Sequence, residues 1–250
     1  METLFVGQNK ITLQTTDSTN NYAAKLLKMS FVPDGTVIMA HNQSEGRGQR
    51  EKIWESAPGE NLLCSYVLKP ESLSASEAFL MSMTASLAAY ETMASLSAPS
   101  NTHIKWPNDI MLNDKKIGGI LIENFIVKGV VKYAIVGIGI NVNQPTLTYS
   151  HATSLISETQ RITDLDTLLA LLSSYLEKWY LKLQSRTQMA KISQSYNSHL
   201  WRQNEELSVK YNDQETKGSI KGVSTQGKLH FLTASGMIQA DLSQLKIPYE

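Results

Sequence analysis

Apolar residues fall along the chain in two textures, one with the period of strands and one with the period of helices. Ile11 to Thr15 alternates apolar and polar positions, as a half-exposed strand does. Asp17-Ser18-Thr19-Asn20 then offers cap residues ahead of Tyr22, Ala23, Leu26 and Leu27, which recur at helical spacing. Past a turn at Pro33-Asp34-Gly35, Thr36 to His41 reads as a buried strand, and Asn61 to Lys69 as another. The polar stretch Asn42 to Lys52 between them reads as a loop. Ser74 and Glu77 have capping-box spacing, so a helix is expected from there to about Leu96, with Pro99 closing the segment. Ile104 to Leu112 reads as one strand interrupted by Pro107. Ile117 to Val127 and Val130 to Val142 are parted only by Lys128-Gly129 and predict a β-hairpin.

Further on, Leu168, Leu169, Leu172, Tyr175, Leu176, Trp179, Tyr180 and Leu183 recur at helical intervals, with Thr163-x-x-Asp166 as the expected cap. Another helix is expected over about Met189 to His199. From Glu206 short alternating runs are punctuated by Gly218, Gly222, Gly227 and Gly236. The pattern predicts an α+β layout: a mixed β-sheet with helices packed on one face over residues 1–203, then a small all-β module over 204–250. A module of that size buries too little to be comfortable alone and should pack on the main domain.

Composition narrows the function. Hydrophobic residues are 42% and charged residues 18% of the 250, which excludes a disordered chain. Lys+Arg and Asp+Glu both number 23, so there is no basic excess of the kind a nucleic-acid binder shows. One cysteine, Cys64, permits no intrachain disulfide and no Cys-rich zinc site, and the five histidines form no i,i+4 pair. The opening Met1-Glu2-Thr3-Leu4-Phe5-Val6 is not a signal peptide, and the longest apolar run is about half a membrane span. A cytoplasmic protein acting on neither membranes nor nucleic acid is expected.

Four segments could carry chemistry. Gly46-Arg47-Gly48-Gln49-Arg50 combines bare backbone with two forked cations suited to phosphate or carboxylate, though it also reads as an ordinary polar turn. Lys105-Trp106-Pro107-Asn108-Asp109 puts an ammonium and a carboxylate beside an aromatic. Its alternative is a strand-ending turn with Trp106 as core filler. Lys115-Lys116-Ile117-Gly118-Gly119-Ile120-Leu121-Ile122-Glu123 holds glycines inside a strand pattern, which weaken a strand unless a backbone or ligand comes close. Gly137-Ile138-Gly139-Ile140-Asn141 is small on one face, for a ligand or for strand packing. It lacks the third glycine and the following helix of a dinucleotide fingerprint, and the chain has no Walker A sequence. Composition and spacing lead as far as an anion-binding α+β enzyme of unassigned reaction.

These strings, in this order and over nearly the whole chain, resemble the biotin protein ligases (biotin–[acetyl-CoA-carboxylase] ligases); the Lys-Trp-Pro-Asn-Asp string is the most specific. The resemblance implies a catalytic domain of the class II aminoacyl-tRNA synthetase-like kind followed by a small SH3-like β-barrel. It implies formation of biotinyl-5′-AMP from biotin and ATP with Mg²⁺, then transfer of biotin to a lysine of a biotin carboxyl carrier domain. It further implies that Ser18, Thr19, Asn20 and Gln43 bind the biotin head, while Gly118, Gly119 and Ile120 line its pocket. Gly46, Arg47 and Arg50 would close over biotin and the adenylate phosphate, and Lys116 would hold the biotin carboxylate and the α-phosphate. Trp54, Asn108 and Asn141 would place the nucleotide, Asn141 also touching the metal. Asp109 would meet the incoming lysine amine.

The sequence departs from the family pattern at Gln49 and Glu51, where an Arg and a Gly are common, so the loop's charge falls to Arg47 and Arg50. The roughly 16 residues ahead of Asp17 are too few for the helix-turn-helix domain of some members, and DNA binding is not expected. Two rivals are weighed. Octanoyl and lipoyl transfer enzymes of related fold include some with a cysteine nucleophile, but Cys64 sits in an apolar run and is expected to be a buried structural residue, and Trp106-Pro107-Asn108-Asp109 favours biotin. A non-catalytic biotin-binding module is the other, and Lys116 with Arg47 and Arg50 argues against it.

Overall fold

The computed structural model describes residues 2–49, 52–97 and 101–249. The chain order is β1 (Lys10–Thr16), α1 (Thr19–Met29), β2 (Thr36–Gln43), β3 (Leu62–Leu68), α2 (Phe79–Leu96), β4 (Thr102–Lys105), β5 (Asp109–Leu112), β6 (Lys115–Val127) and β7 (Val130–Ile140). Then come α3 (Leu155–Thr159), α4 (Leu165–Leu183) and α5 (Met189–Ser198), and a second group of strands: β8 (Glu206–Tyr211), β9 (Gln214–Val223), β10 (Leu229–Thr233), β11 (Gly236–Ala240) and β12 (Leu245–Lys246).

The first seven strands form one mixed sheet in the order β1-β2-β3-β7-β6-β5-β4. Only β1 and β2 run parallel. Parallel neighbours need a crossover, and α1 supplies it. This places α1 on one face of the sheet, where Ala23 packs with Val32, Ile38, Val67 and Ile135. Their strand neighbours Val37, Tyr66 and Val136 point the other way, into a larger core shared with α2, α4 and α5. The expected α+β class and mixed sheet are what the chain forms. The expectation of helices on one face holds for α2, α4 and α5, while α1 covers part of the opposite face because of its crossover.

Three local expectations change. Ile104 to Leu112 is not one interrupted strand: the chain reverses at Trp106–Asn108 and β4 pairs antiparallel with β5, so Lys105 stands opposite Asp109. The helix expected from Ser74 begins as a single 3₁₀ turn, Ala75–Glu77, and α2 starts at Phe79. The Ser74 hydroxyl donates to the Glu77 carboxylate (2.6 Å) and makes no cap bond to the backbone, while the Glu77 carboxylate accepts from the Ser74 backbone N–H. The cap of α4 is Asp164, not Thr163, and accepts the Thr167 N–H at 2.8 Å. The β6–β7 hairpin is as expected, with Val127 opposite Val130. Its two turn residues have positive φ, Lys128 at 50° and Gly129 at 78°, the geometry that matches strand twist.

Strands β8–β12 form a second, antiparallel sheet in the order β11-β10-β9-β8-β12. This agrees with an SH3-like module, although β11 and β12 end an open row and do not close it into a barrel. The module is tied to the first sheet through Trp106, whose indole N–H donates to the Gly227 carbonyl (3.0 Å). Among the described residues no helix is long and apolar enough to cross a membrane.

The chain's start is held by a buried charge. The Glu177 carboxylate, on α4, accepts the backbone N–H groups of Leu4 (2.7 Å), Phe5 (2.8 Å) and Val6 (3.0 Å). Three orphaned donors would remain without it. Glu177→Ala should lower the unfolding free energy by about 2–4 kcal/mol in urea titration; a loss under about 1 kcal/mol would mean water replaces the carboxylate.

Candidate functional site

Pairing across the sheet aligns Lys105, Asp109, Gly119, Gly139 and Leu63 in one row over β4, β5, β6, β7 and β3. The next row on the same face joins Leu121, Gly137 and Ser65. Glycines at the centre leave the α1 face of the sheet bare beyond the end of α1. The result is a cleft of about 1000 Å³. The Trp54 indole lies on this floor: a Cβ at Gly139 would come within 2.6 Å of the ring, and one at Gly119 within 3.1 Å. Its buried Nε1 has no hydrogen-bond partner among the described residues.

One end of the cleft is a neutral hydrogen-bonding pocket at the start of α1. Gln43 Oε1 accepts from the Thr19 N–H (2.8 Å) and hydroxyl (3.0 Å). Buried Ser65 lies with its hydroxyl 2.7 Å from the Thr19 oxygen and 2.6 Å from Asn20 Oδ1. Gly137 is required here, because any Cβ would overlap the Asn20 carboxamide. Asp17, held down to about 2 chiefly by the Ser18 backbone N–H, fixes the entry to the helix. Asn20 Nδ2 donates to Glu123 Oε2 (2.8 Å), and the other Glu123 oxygen pairs with Arg47 (2.8 Å). One carboxylate therefore ties the pocket to the glycine loop. That loop folds back on itself: Trp54 N–H donates to the Gly46 carbonyl (2.9 Å) and Gly48 N–H to the Lys52 carbonyl (2.6 Å).

The other end is cationic. Lys116 Nζ and Asp109 Oδ1 lie 2.6 Å apart. Asp109 Oδ2 accepts the Tyr249 hydroxyl at 2.5 Å. Lys105 Nζ sits 3.8 Å from the centre of the Tyr249 ring. His151 stacks on the same ring at 4.1 Å. Burial pulls the Lys105 ammonium from 10.5 down to about 8, against the attraction of Asp109 and with help from Lys116 and Lys52. The His151 imidazole is also lowered, first by burial and then by Lys116 and Lys105. Two lysines beside one carboxylate, with Lys52 near enough to act on both Lys105 and His151, leave a net positive potential that an anion would relieve.

Every residue expected at the site lines this cleft except three. Arg50 lies outside the described residues. Gly118 faces away, since neighbours on a strand point to opposite sides and only Gly119 can form the floor; its own missing Cβ would meet the Gly139 carbonyl and Ile110. Gly46 serves the loop, where a Cβ would collide with the Trp54 carbonyl. Asn108 lines the cleft, but its Nδ2 is engaged with the Ile120 carbonyl (2.8 Å), bracing β5 on β6. Asn141 Nδ2 likewise donates to Thr153 (3.0 Å).

Sequence reasoning assigned no role to Lys105, Glu123, Ser65, His151 or Tyr249. Lys105 and Glu123 stood inside quoted motifs, but Tyr249, His151 and Ser65 carry no local signal. Cys64 does line the cleft, yet burial pushes its thiol strongly up, and Sγ faces the Ile138 carbonyl at 3.7 Å. A thiol so disfavoured as a thiolate is a poor nucleophile.

Residues 12–141 match the Biotin/lipoate A/B protein ligase family. The chain is 30% identical over 227 residues to a biotin–[acetyl-CoA-carboxylase] ligase of Paracoccus denitrificans, a match spanning 87% of this chain and 91% of that one. It is 35% identical over 144 residues to the bifunctional ligase/repressor BirA of Bacillus subtilis, but there the match spans only 43% of the relative's length. A solved structure of biotin protein ligase from Aquifex aeolicus in complex with biotin and ATP superposes with a TM-score of 0.78 at 26% identity, covering 96% of this chain and 99% of that one.

The depressed Lys105 has a measurable consequence. Between about pH 8 and 10.5 the unfolded chain holds the proton that folded Lys105 has shed, so its contribution to stability rises with pH there. Urea titrations across this window should show the rise in the parent and its absence in Lys105→Met. Parallel slopes would show that Lys105 keeps its ordinary titration.

Proposed function

The chain belongs to the Biotin/lipoate A/B protein ligase family, and from that premise we propose that it is an ATP-dependent biotin protein ligase. The observation that carries this reading is the position of Lys116, whose ammonium stands beside Asp109 and over the glycine floor at Gly119, in the same cleft as the neutral pocket.

Joining biotin's carboxylate to the α-phosphate of ATP brings two anions together, and the chain must offset their repulsion and align them. In this reading Ser18, Thr19, Asn20 and Gln43 hold biotin's ureido head through donors and acceptors already ordered around Ser65. The biotin chain runs over Gly119 beside Ile120. Its carboxylate then reaches Lys116, which exchanges Asp109 for the substrate anion. Arg47 covers the phosphate, a role that the family resemblance also gives to Arg50. Trp54 lies beneath the nucleotide, its unpartnered Nε1 a donor for it, and Asn108 and Asn141 bound that side. The carboxylate oxygen attacks the α-phosphorus and pyrophosphate leaves.

In the second step a lysine amine of a biotin carboxyl carrier domain attacks the acyl carbon. The new C–N bond replaces the C–O bond and AMP departs. Asp109, released by Lys116, orients the amine and draws off its proton.

Mg²⁺ prefers oxygen ligands and is often held mainly by substrate phosphates. The described residues contain no cluster of three or more His, Cys, Asp or Glu. With Nδ2 committed to Thr153, Asn141 would offer one oxygen. The chain therefore fits Mg²⁺ as an ion arriving with the nucleotide, neutralising phosphate charge.

Two results would test the reading. The protein should catalyse ATP–pyrophosphate exchange that depends on biotin and not on lipoate, and Lys116→Ala should reduce it at least about 100-fold without altering the circular dichroism spectrum. Exchange at the parent's rate in that variant would reject the role of Lys116. Gly137→Ala, by displacing Asn20, should weaken biotin binding about tenfold in calorimetry; unchanged affinity would remove Asn20 from the biotin site.

A further inference from the structure

Tyr249 is brought to the cleft by the second sheet, from a segment whose sequence gives no hint of chemistry. Beyond β12 burial goes on alternating along the chain. Leu245 is buried against the module, Ile247 follows two positions on, and Tyr249 comes next in the same phase. Its ring packs against the Lys105 ammonium at 3.8 Å and the His151 imidazole at 4.1 Å and 16°. A ring so confined aims its hydroxyl in a fixed direction, and that direction is Asp109 Oδ2, 2.5 Å away.

The Asp109 carboxylate thus has two partners of different kinds. Lys116 is an ammonium on a long flexible stem, whose proposed work takes it to the substrate anion. Tyr249 is a neutral donor held by its neighbours. Once Lys116 turns to the acyl phosphate, the tyrosine alone keeps Asp109 from rotating. We propose that Tyr249 is a positioning residue for the transfer step, fixing one Asp109 oxygen so that the other is presented to the acceptor lysine. The inference rests on the ligase reading above and adds a residue from the second sheet to its second half-reaction. A phenol can do this because it donates without adding charge. Burial, then Asp109 itself, raises its pKa, so it remains a donor at alkaline pH. The other titratable groups around this carboxylate are Lys105, Lys116, Lys52, His151 and Tyr196, and the Tyr196 hydroxyl is turned to the Pro107 carbonyl at 3.4 Å. None competes for Asp109 as a second acid.

The test uses the full chain and the Tyr249→Phe variant, which keeps the ring against Lys105 and His151 and removes only the donor. Biotinyl-AMP is formed on each enzyme and then chased with a biotin carrier domain or with hydroxylamine. The acceptor lysine arrives protonated near neutral pH, whereas hydroxylamine is an uncharged nucleophile that needs no carboxylate to deprotonate it. At pH 7 the variant should transfer biotin to the carrier roughly tenfold more slowly at saturating carrier, the size expected for a lost hydrogen bond to a charged group. The deficit should lie in kcat and shrink towards pH 9.5, as the lysine sheds its proton unaided. Reaction with hydroxylamine should slow by less than about twofold, within the scatter of a neutral substitution.

Carrier transfer at the parent's rate would overturn the proposal. So would equal slowing with both nucleophiles, or a deficit independent of pH, since either marks a merely structural role. If the parent itself shows no biotin-dependent pyrophosphate exchange, the ligase reading fails first and takes this inference with it. Exchange in the parent with normal carrier transfer in the variant removes the inference alone.

Discussion

The register between β5, β6 and β7 is the constraint on which the rest depends. It sets Asp109 opposite Gly119 and Gly119 opposite Gly139. A slip of one residue would turn the glycines into the helical core and fill the cleft floor with the side chains of Ile120 and Ile138. The register is pinned from the far side, where Ile110, Val136 and Ile140 are buried in the large core with α2 and α4. The packing of one face therefore fixes the chemistry of the other.

On that floor the charges are arranged to be held without a ligand. Taking Lys105 and Lys116 partly out of water is costly, and Asp109 offsets it at 2.6 Å from Lys116. The offset is incomplete, as the lowered Lys105 shows. A substrate anion would supply what is missing, so the same groups that destabilise the empty cleft favour a filled one. Conformational freedom is limited by neutral contacts instead: the stacked Tyr249, the braced Asn108 and the Ser65 network.

Two long-range ties make the cleft a single unit. Glu123 joins the head-group pocket to the glycine loop through Asn20 and Arg47. The second sheet reaches the same cleft through Trp106 at one point and Tyr249 at another. A module too small to be comfortable alone gains a core by docking, and the docking delivers a side chain to Asp109.

The sequence by itself determined the strand and helix periods, the hairpin at Lys128-Gly129 and the segments that would carry charge. These are local properties: alternation, glycine placement and the run Lys105–Asp109 are legible wherever the chain lies. It could not tell Gly118 from Gly119, because face is decided by pairing and both are glycines in the same run. It read Ile104 to Leu112 as one strand because the reversal at Pro107 depends on β4 and β5 finding each other. It placed helices on one face because the side taken by α1 follows from the parallel pairing of β1 with β2. Ser65, His151 and Tyr249 were invisible for the same reason. Their roles come from neighbours distant in sequence, and only the closing of two sheets around one cleft makes a tyrosine at position 249 the partner of an aspartate at 109.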